Sequence, residues 1–267
     1  MTGAPERGDR GARGAASEGT ADRFLSAVFA PVRSRNVVEE TVERIAGVIK
    51  ARLVKVGDQL PPERELARRL GISRSTLRGA LRILVDAGYL EVRRGRTGGT
   101  FVARWPDLPR ARERRAVLNR VRHDIPAILD FRRAVEPAAA ELAAERASPV
   151  EIRELGQLLS SMRGAERNFT VYRAYDARFH VGIAAAAKSP LLLDSVVRLQ
   201  TSLTEILDLI VHHSEEVLRH STEYHWRILE AIREHRPAQA RQLMLDHIRA
   251  TENIVHGLVP EVEVPAR

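Results

Sequence analysis

The sequence predicts a mostly α-helical protein: an N-terminal winged helix-turn-helix with a small β hairpin, then an all-α bundle of six or seven helices. Three observations carry this. Apolar residues recur at three- and four-residue spacing through nearly all of residues 125–257, the mark of helices with one buried face. Alternation occurs in YLEVRR and TFVAR, either side of the glycine-rich turn GRTGG, which reads as a hairpin. Charge is divided: residues 36–104 carry a net +6 and residues 130–267 a net −3. Such asymmetry points to a nucleic-acid-binding part joined to a part with another task.

The elements follow in order. Residues 1–33 are rich in Gly, Ala and Arg with little periodicity, and predict a disordered tail. Val38, Val42, Ile45, Val48 and Ile49 give a first helix within 37–53, ended by Gly57, Pro61 and Pro62. A short helix fits Glu63 to Leu70, with Gly71 at its end. Ser73 is placed to N-cap a third helix, Arg74 to Ala87, with Leu77, Leu81 and Leu84 inward and Gly88 as its stop. The hairpin then completes a DNA-binding domain over 34–104. Residues 105–123 are proline-interrupted and basic, a linker with some helix. From 124 to 257, helical spacing runs through 125–146, 149–165, 169–187, 190–212, 215–235 and 237–257. Pro149, Pro190 and Pro237 sit near helix starts, where proline is tolerated. Residues 258–267 form a short tail.

Composition excludes several classes. A length of 267 residues fits two domains at roughly 100–200 residues each. The absence of cysteine rules out disulfides and thiolate metal sites. No apolar run approaches the ~18 residues of a spanning helix, and the N-terminus lacks the apolar core of a secretory signal. The expectation is a soluble, cytoplasmic protein without a membrane partner.

Residues 57–90, GDQLPPERELARRLGISRSTLRGALRILVDAGYL, resemble the N-terminal domain of the GntR family of bacterial transcription regulators. FRRAVEPAAAELAAERA (131–147), DARFH (176–180) and HWRILEAI (225–232), with His247, are similar to the FCD ligand-binding domain of the FadR subfamily. The resemblance covers roughly residues 37–257. It implies a homodimeric regulator, not an enzyme, whose affinity for a palindromic DNA operator changes when a small metabolite, usually a carboxylate, binds the helical domain. A repressor is the expected sign.

By this resemblance Arg64, Ser73, Arg74 and Arg78 match the family's DNA contacts. The residues agree. Arg74 and Arg78 lie i,i+4 on one helix face, and the arginine fork suits guanine O6 and N7 in a major groove. Ser73 can bond a phosphate beside the helix N-terminal amides. Arg82, one turn beyond Arg78, can reach phosphate, and Arg96 at the wing tip can approach the minor groove.

Asp176 and His180 also share one helix face, and His225 and His247 lie on two later helices. One carboxylate and three imidazoles suit a borderline divalent cation, zinc foremost, with nickel or manganese as alternatives. The spacing alone is weak, since the chain has nine histidines. The resemblance places these four on the FCD metal positions and leaves His212, His213, His220, His235 and His256 structural. It also puts Arg132 where the family has an arginine that holds a ligand carboxylate. The residues themselves leave open an ordinary i,i+4 pair with Glu136. Ser189, ahead of Pro190, departs from the family's frequent asparagine. The competing reading is a metal-dependent enzyme with a DNA tether. Against it, Glu205, Asp208, Glu215 and Glu216 belong to no recognisable catalytic motif.

Overall fold

A computed structural model describes residues 36–95, 98–107, 111–210 and 215–258. The predicted tails and Arg96 lie outside these residues, apart from position 258. The winged helix-turn-helix comprises α1 (Val37–Lys50), α2 (Glu63–Leu70), α3 (Arg74–Asp86), β1 (Leu90–Arg93) and β2 (Gly99–Val102). Seven described helices follow: α4 (Ala111–Val121), α5 (Ile125–Arg146), α6 (Pro149–Arg163), α7 (Phe169–Ala186), α8 (Pro190–Ile210), α9 (Glu215–Arg233) and α10 (Pro237–Leu258). The helix in the linker is α4, so the bundle has the larger of the two expected numbers among the described residues.

Local chemistry sets the boundaries. Gly71 closes α2 in the left-handed conformation, φ 67°, which costs glycine no Cβ clash. Ser73 Oγ accepts the Thr76 N–H and caps α3. A reciprocal Ser148–Glu151 capping box opens α6, and Pro149, Pro190 and Pro237 are the first residues of α6, α8 and α10. Two details differ from the sequence pattern. Helix α1 stops at Lys50 rather than near Leu53, because Arg52 takes φ 56° and turns the chain. Gly99 belongs to β2, paired with Arg93, so the turn is shorter than GRTGG.

The winged domain closes over Ile45, Ile49, Leu77, Leu81, Leu84, Leu90 and Val102. In the bundle, α5 is central and packs against α7, α8, α9 and α10. Its buried stripe runs Ile125, Leu129, Arg132, Glu136, Ala139, Ala140, Ala143, Ala144. The alanines leave room for close helix approach. Arg132 and Glu136 occupy the same stripe, so two charges stand where the helical pattern demands core residues.

The winged domain docks on the bundle mainly through α1 and α8. Arg44 donates to Asp194 at 2.7 Å and Lys50 to Glu205 at 3.0 Å. Arg52 makes a two-pronged pair with Asp208 at 3.1 and 2.7 Å. Thr201 Oγ1 donates to the Gly47 carbonyl at 3.3 Å, and a Cβ at Gly47 would stand 3.4 Å from that oxygen. From α7, Arg178 Nε donates to the Leu53 carbonyl at 3.3 Å.

Candidate metal centre and nucleic-acid interface

Asp176 and His180 project from α7, His225 from α9 and His247 from α10, and all four are buried. One ligand atom of each lies within 4.8 Å of the others. His225 Nε2 is 3.1 Å from His247 Nε2 and 3.5 Å from Asp176 Oδ1. His180 Nε2 is 4.0 Å from Asp176 Oδ1 and has no hydrogen-bond partner among the described residues. Ligands bound at ~2.1 Å stand about 3.0–3.4 Å apart at neighbouring coordination positions. The sequence therefore named four residues that the fold gathers from three helices, and the set fits a divalent ion.

The electrostatics suit ligation. Burial pushes the His225 imidazole down to about 3, ahead of the opposing Asp176 charge. Burial, then His225 and His180, holds His247 well below its ordinary range. Both are thus neutral bases near pH 7, the form that binds metal. Burial works to raise the Asp176 carboxyl, but it is held below its usual range, by the charge of Arg173 foremost, and stays ionised.

Glu136 forms a hub behind the site that spacing did not reveal. Its Oε2 accepts from Arg132 Nε at 2.9 Å and lies 3.3 Å from His180 Nδ1, in ion-pair range but without hydrogen-bond alignment. Its Oε1 accepts from Gln200 of α8 at 2.6 Å. Burial would raise this carboxyl, yet His180 and Arg132 hold it well below the usual carboxylate range. A carboxylate beside the far nitrogen of a ligating imidazole orients the ring. Arg132 pairs with Glu136 as the i,i+4 reading required, but it does so in the core, 3% exposed. Its Nη1 has no partner among the described residues, and Arg132 lines a cavity of about 520 Å³. Asp176 and His247 share that wall with Tyr172, Arg173 and Tyr224. His220, set aside as structural, is on it too, at the exposed rim. His235 does play a structural part, its Nδ1 lying 2.8 Å from the Ala144 carbonyl.

In the winged domain, Arg64 on α2, Ser73 at the cap of α3, and Arg74, Arg78 and Arg82 on α3 are exposed. Arg78 Nε donates to Glu63 Oε2 at 2.8 Å, tying α3 to α2. Of the carboxylates without a motif, Glu205 and Asp208 are the partners of Lys50 and Arg52.

The profile of the bacterial regulatory proteins of the gntR family matches residues 37–102, and that of the FCD domain matches residues 127–250. A Mycobacterium gastri protein assigned as the HTH-type transcriptional regulator RmpR is 34% identical over 235 residues, 87% of this chain and 84% of its own length. This chain belongs to the GntR family. The GntR-family assignment extends across both halves: the Glc operon transcriptional activator of Escherichia coli K12 is 29% identical over 83% of this chain and 89% of its own length. The fold is shared with E. coli McbR/YncC, at a TM-score of 0.51 and 19% identity over 84% of this chain and 98% of that one. The Mycobacterium gastri and Glc operon relatives are named as transcriptional regulators, and this GntR-family chain is likewise a transcriptional regulator and not an enzyme. No described helix is long and apolar enough to cross a membrane.

Proposed function

We propose that this regulator binds a palindromic operator as a homodimer, holds a divalent metal in its helical domain, and releases DNA when a small carboxylate enters the cavity beside that metal. The carrying observation is the two-faced character of α7 and α8. Helix α7 points Asp176 and His180 into the site and uses Arg178 to hold the Leu53 carbonyl of the winged domain. Helix α8 points Gln200 at Glu136 and sets Thr201, Glu205 and Asp208 against α1 and its end. A ligand that moves either helix acts on the seat of the recognition helices.

In this reading Asp176, His180, His225 and His247 hold the ion, zinc before nickel or manganese, and Arg132 Nη1 receives the carboxylate. Bound there, the ion supplies positive charge and open coordination positions. Arg74 and Arg78 read bases, Ser73 and Arg82 bind phosphate, Arg64 reaches the groove edge, and Arg96 serves the wing. The site of action is the cytoplasm. Repression follows if the ligand-free form is the one that binds.

The test is capture of operator fragments from sheared genomic DNA by the zinc-loaded protein, followed by anisotropy titrations with and without small carboxylates. A palindrome should be enriched, and a carboxylate should change its affinity by ~5–150-fold. Arg74→Ala with Arg78→Ala should abolish enrichment. Enrichment of no sequence, or an affinity indifferent to every carboxylate, would contradict the proposal.

A further inference from the structure

The cavity wall holds a second arginine that the family resemblance did not point to. Arg173 is 7% exposed and donates through Nη1 to Asp176 Oδ2. Its Nε and Nη2 are buried without partners among the described residues. These are the two donors of one guanidinium edge, the geometry that grips a carboxylate or phosphate with two parallel hydrogen bonds. Arg132, on a different helix, also lines the cavity and has a separate unpaired donor, Nη1. Buried donors left unmade are costly, so two such arginines on one wall need an acceptor for each.

Charge counting points the same way. Four charged side chains are enclosed around the site: Arg132, Arg173, Glu136 and Asp176. They cancel, and an imidazole that ligates a metal ion does so in its neutral form. Glu252, the remaining buried carboxylate, is paired with Arg133 and is not on the cavity wall. The rim residues Glu216, Arg219, His220 and Glu223 are exposed and screened by solvent. A divalent ion therefore brings two uncompensated positive charges among four buried side chains. A monocarboxylate balances one of them, and a buried charge left unbalanced is unfavourable.

We propose that the effector is a small acid with two anionic groups, either a dicarboxylate, whose two charges balance the ion, or a carboxylate bearing a phosphate, which carries up to three, with Arg173 as the residue that selects the second anionic group. This rests on the carboxylate-effector reading above and names the ligand class of that site.

The test is calorimetry on the zinc-loaded full chain with two matched pairs: succinate against butyrate, and 3-phosphoglycerate against glycerate. At least one of succinate and 3-phosphoglycerate should bind about tenfold or more tightly than its partner, a difference of about 1.4 kcal/mol. The successful pair tells a dicarboxylate from a phosphorylated acid. Arg173→Gln should bring that pair to within about twofold while keeping one zinc per chain, and Arg173→Lys should restore part of the preference. Should Arg173→Gln lose zinc, the wild-type ranking and the lysine variant decide. Butyrate and glycerate binding as well as succinate and 3-phosphoglycerate overturns the second anionic group and leaves the carboxylate reading standing. So does a zinc-loaded Arg173→Gln that still discriminates. No binding of any of the four overturns both.

Discussion

Asp176, His180, His225 and His247 are a costly thing to bury, since a carboxylate and three rings, those of His180 and His225 with unpaired nitrogens, gain little from one another. Protein purified without chelator or a polyhistidine tag should therefore contain about one divalent ion per chain by elemental analysis, lost in His225→Ala. Glu136→Gln should keep all four ligands yet weaken metal binding by ~10–100-fold, because the carboxylate beside His180 Nδ1 orients the ring. Acid should act on the metal-free protein through the same residues. Burial holds His225 at about 3 in the folded chain, against ~6.5 unfolded. Between those values the unfolded chain binds the extra proton, so stability falls as pH drops from ~6.5 towards 3, by at most about 1.4 kcal/mol per pH unit for that residue. His247 shifts in the same direction. Asp176 and Glu136, depressed carboxyls, add losses at lower pH, below about 4.5. Melting in EDTA should thus occur at progressively lower temperature from pH 7.5 to 5.5; a flat profile would refute the assignment. The four candidate ligands were legible because Asp176 and His180 share a turn and the histidines match a family pattern. Gln200 and Arg173 were not, because their meaning lies in partners and open donors that no spacing encodes.

Helices were legible because burial imposes a period of 3.6 on the sequence, and several starts were legible because Ser73, Pro149, Pro190 and Pro237 favour the first turn of a helix; the Ser148 cap of α6 was not read. The end of α1 was not, because apolar spacing continues past the point where Arg52 leaves the helix for Asp208. That pair tests the interface between α1 and α8. Arg52 is 1% and Asp208 15% exposed, and removing one partner of a buried pair leaves the other charge stranded. Asp208→Ala should lower stability by about 3 kcal/mol in urea unfolding. Replacing both, Arg52→Met with Asp208→Leu, should recover most of it. Because α8 also carries Gln200 to Glu136, the double variant should still bind operator but respond less to the effector. A full response would show that the signal takes another route.

Over the whole chain, the charge division predicts how DNA is held. The net +6 lies in residues 36–104, whereas residues 130–267 carry a net −3, so phosphate attraction belongs to the winged domain and the bundle opposes it at a distance that salt screens. Operator affinity should fall steeply with salt, the log–log slope counting neutralised phosphates at ~0.9 each. Arg82→Ala should reduce that slope by about 1 per protomer with little change in sequence preference, since a phosphate contact carries no base information. Arg74→Ala should cost ~1–3 kcal/mol and relax one operator position in each half-site, the behaviour of a base contact. Arg78 differs from both, because Glu63 already holds its Nε at 2.8 Å. That contact aims the guanidinium and also places a carboxylate beside the DNA face. Glu63→Gln should consequently raise affinity for random DNA while narrowing the gap between operator and random sequence. Competition titrations at two salt concentrations measure this gap directly. If operator and random DNA gain equally, Glu63 only repels phosphate and does not position Arg78.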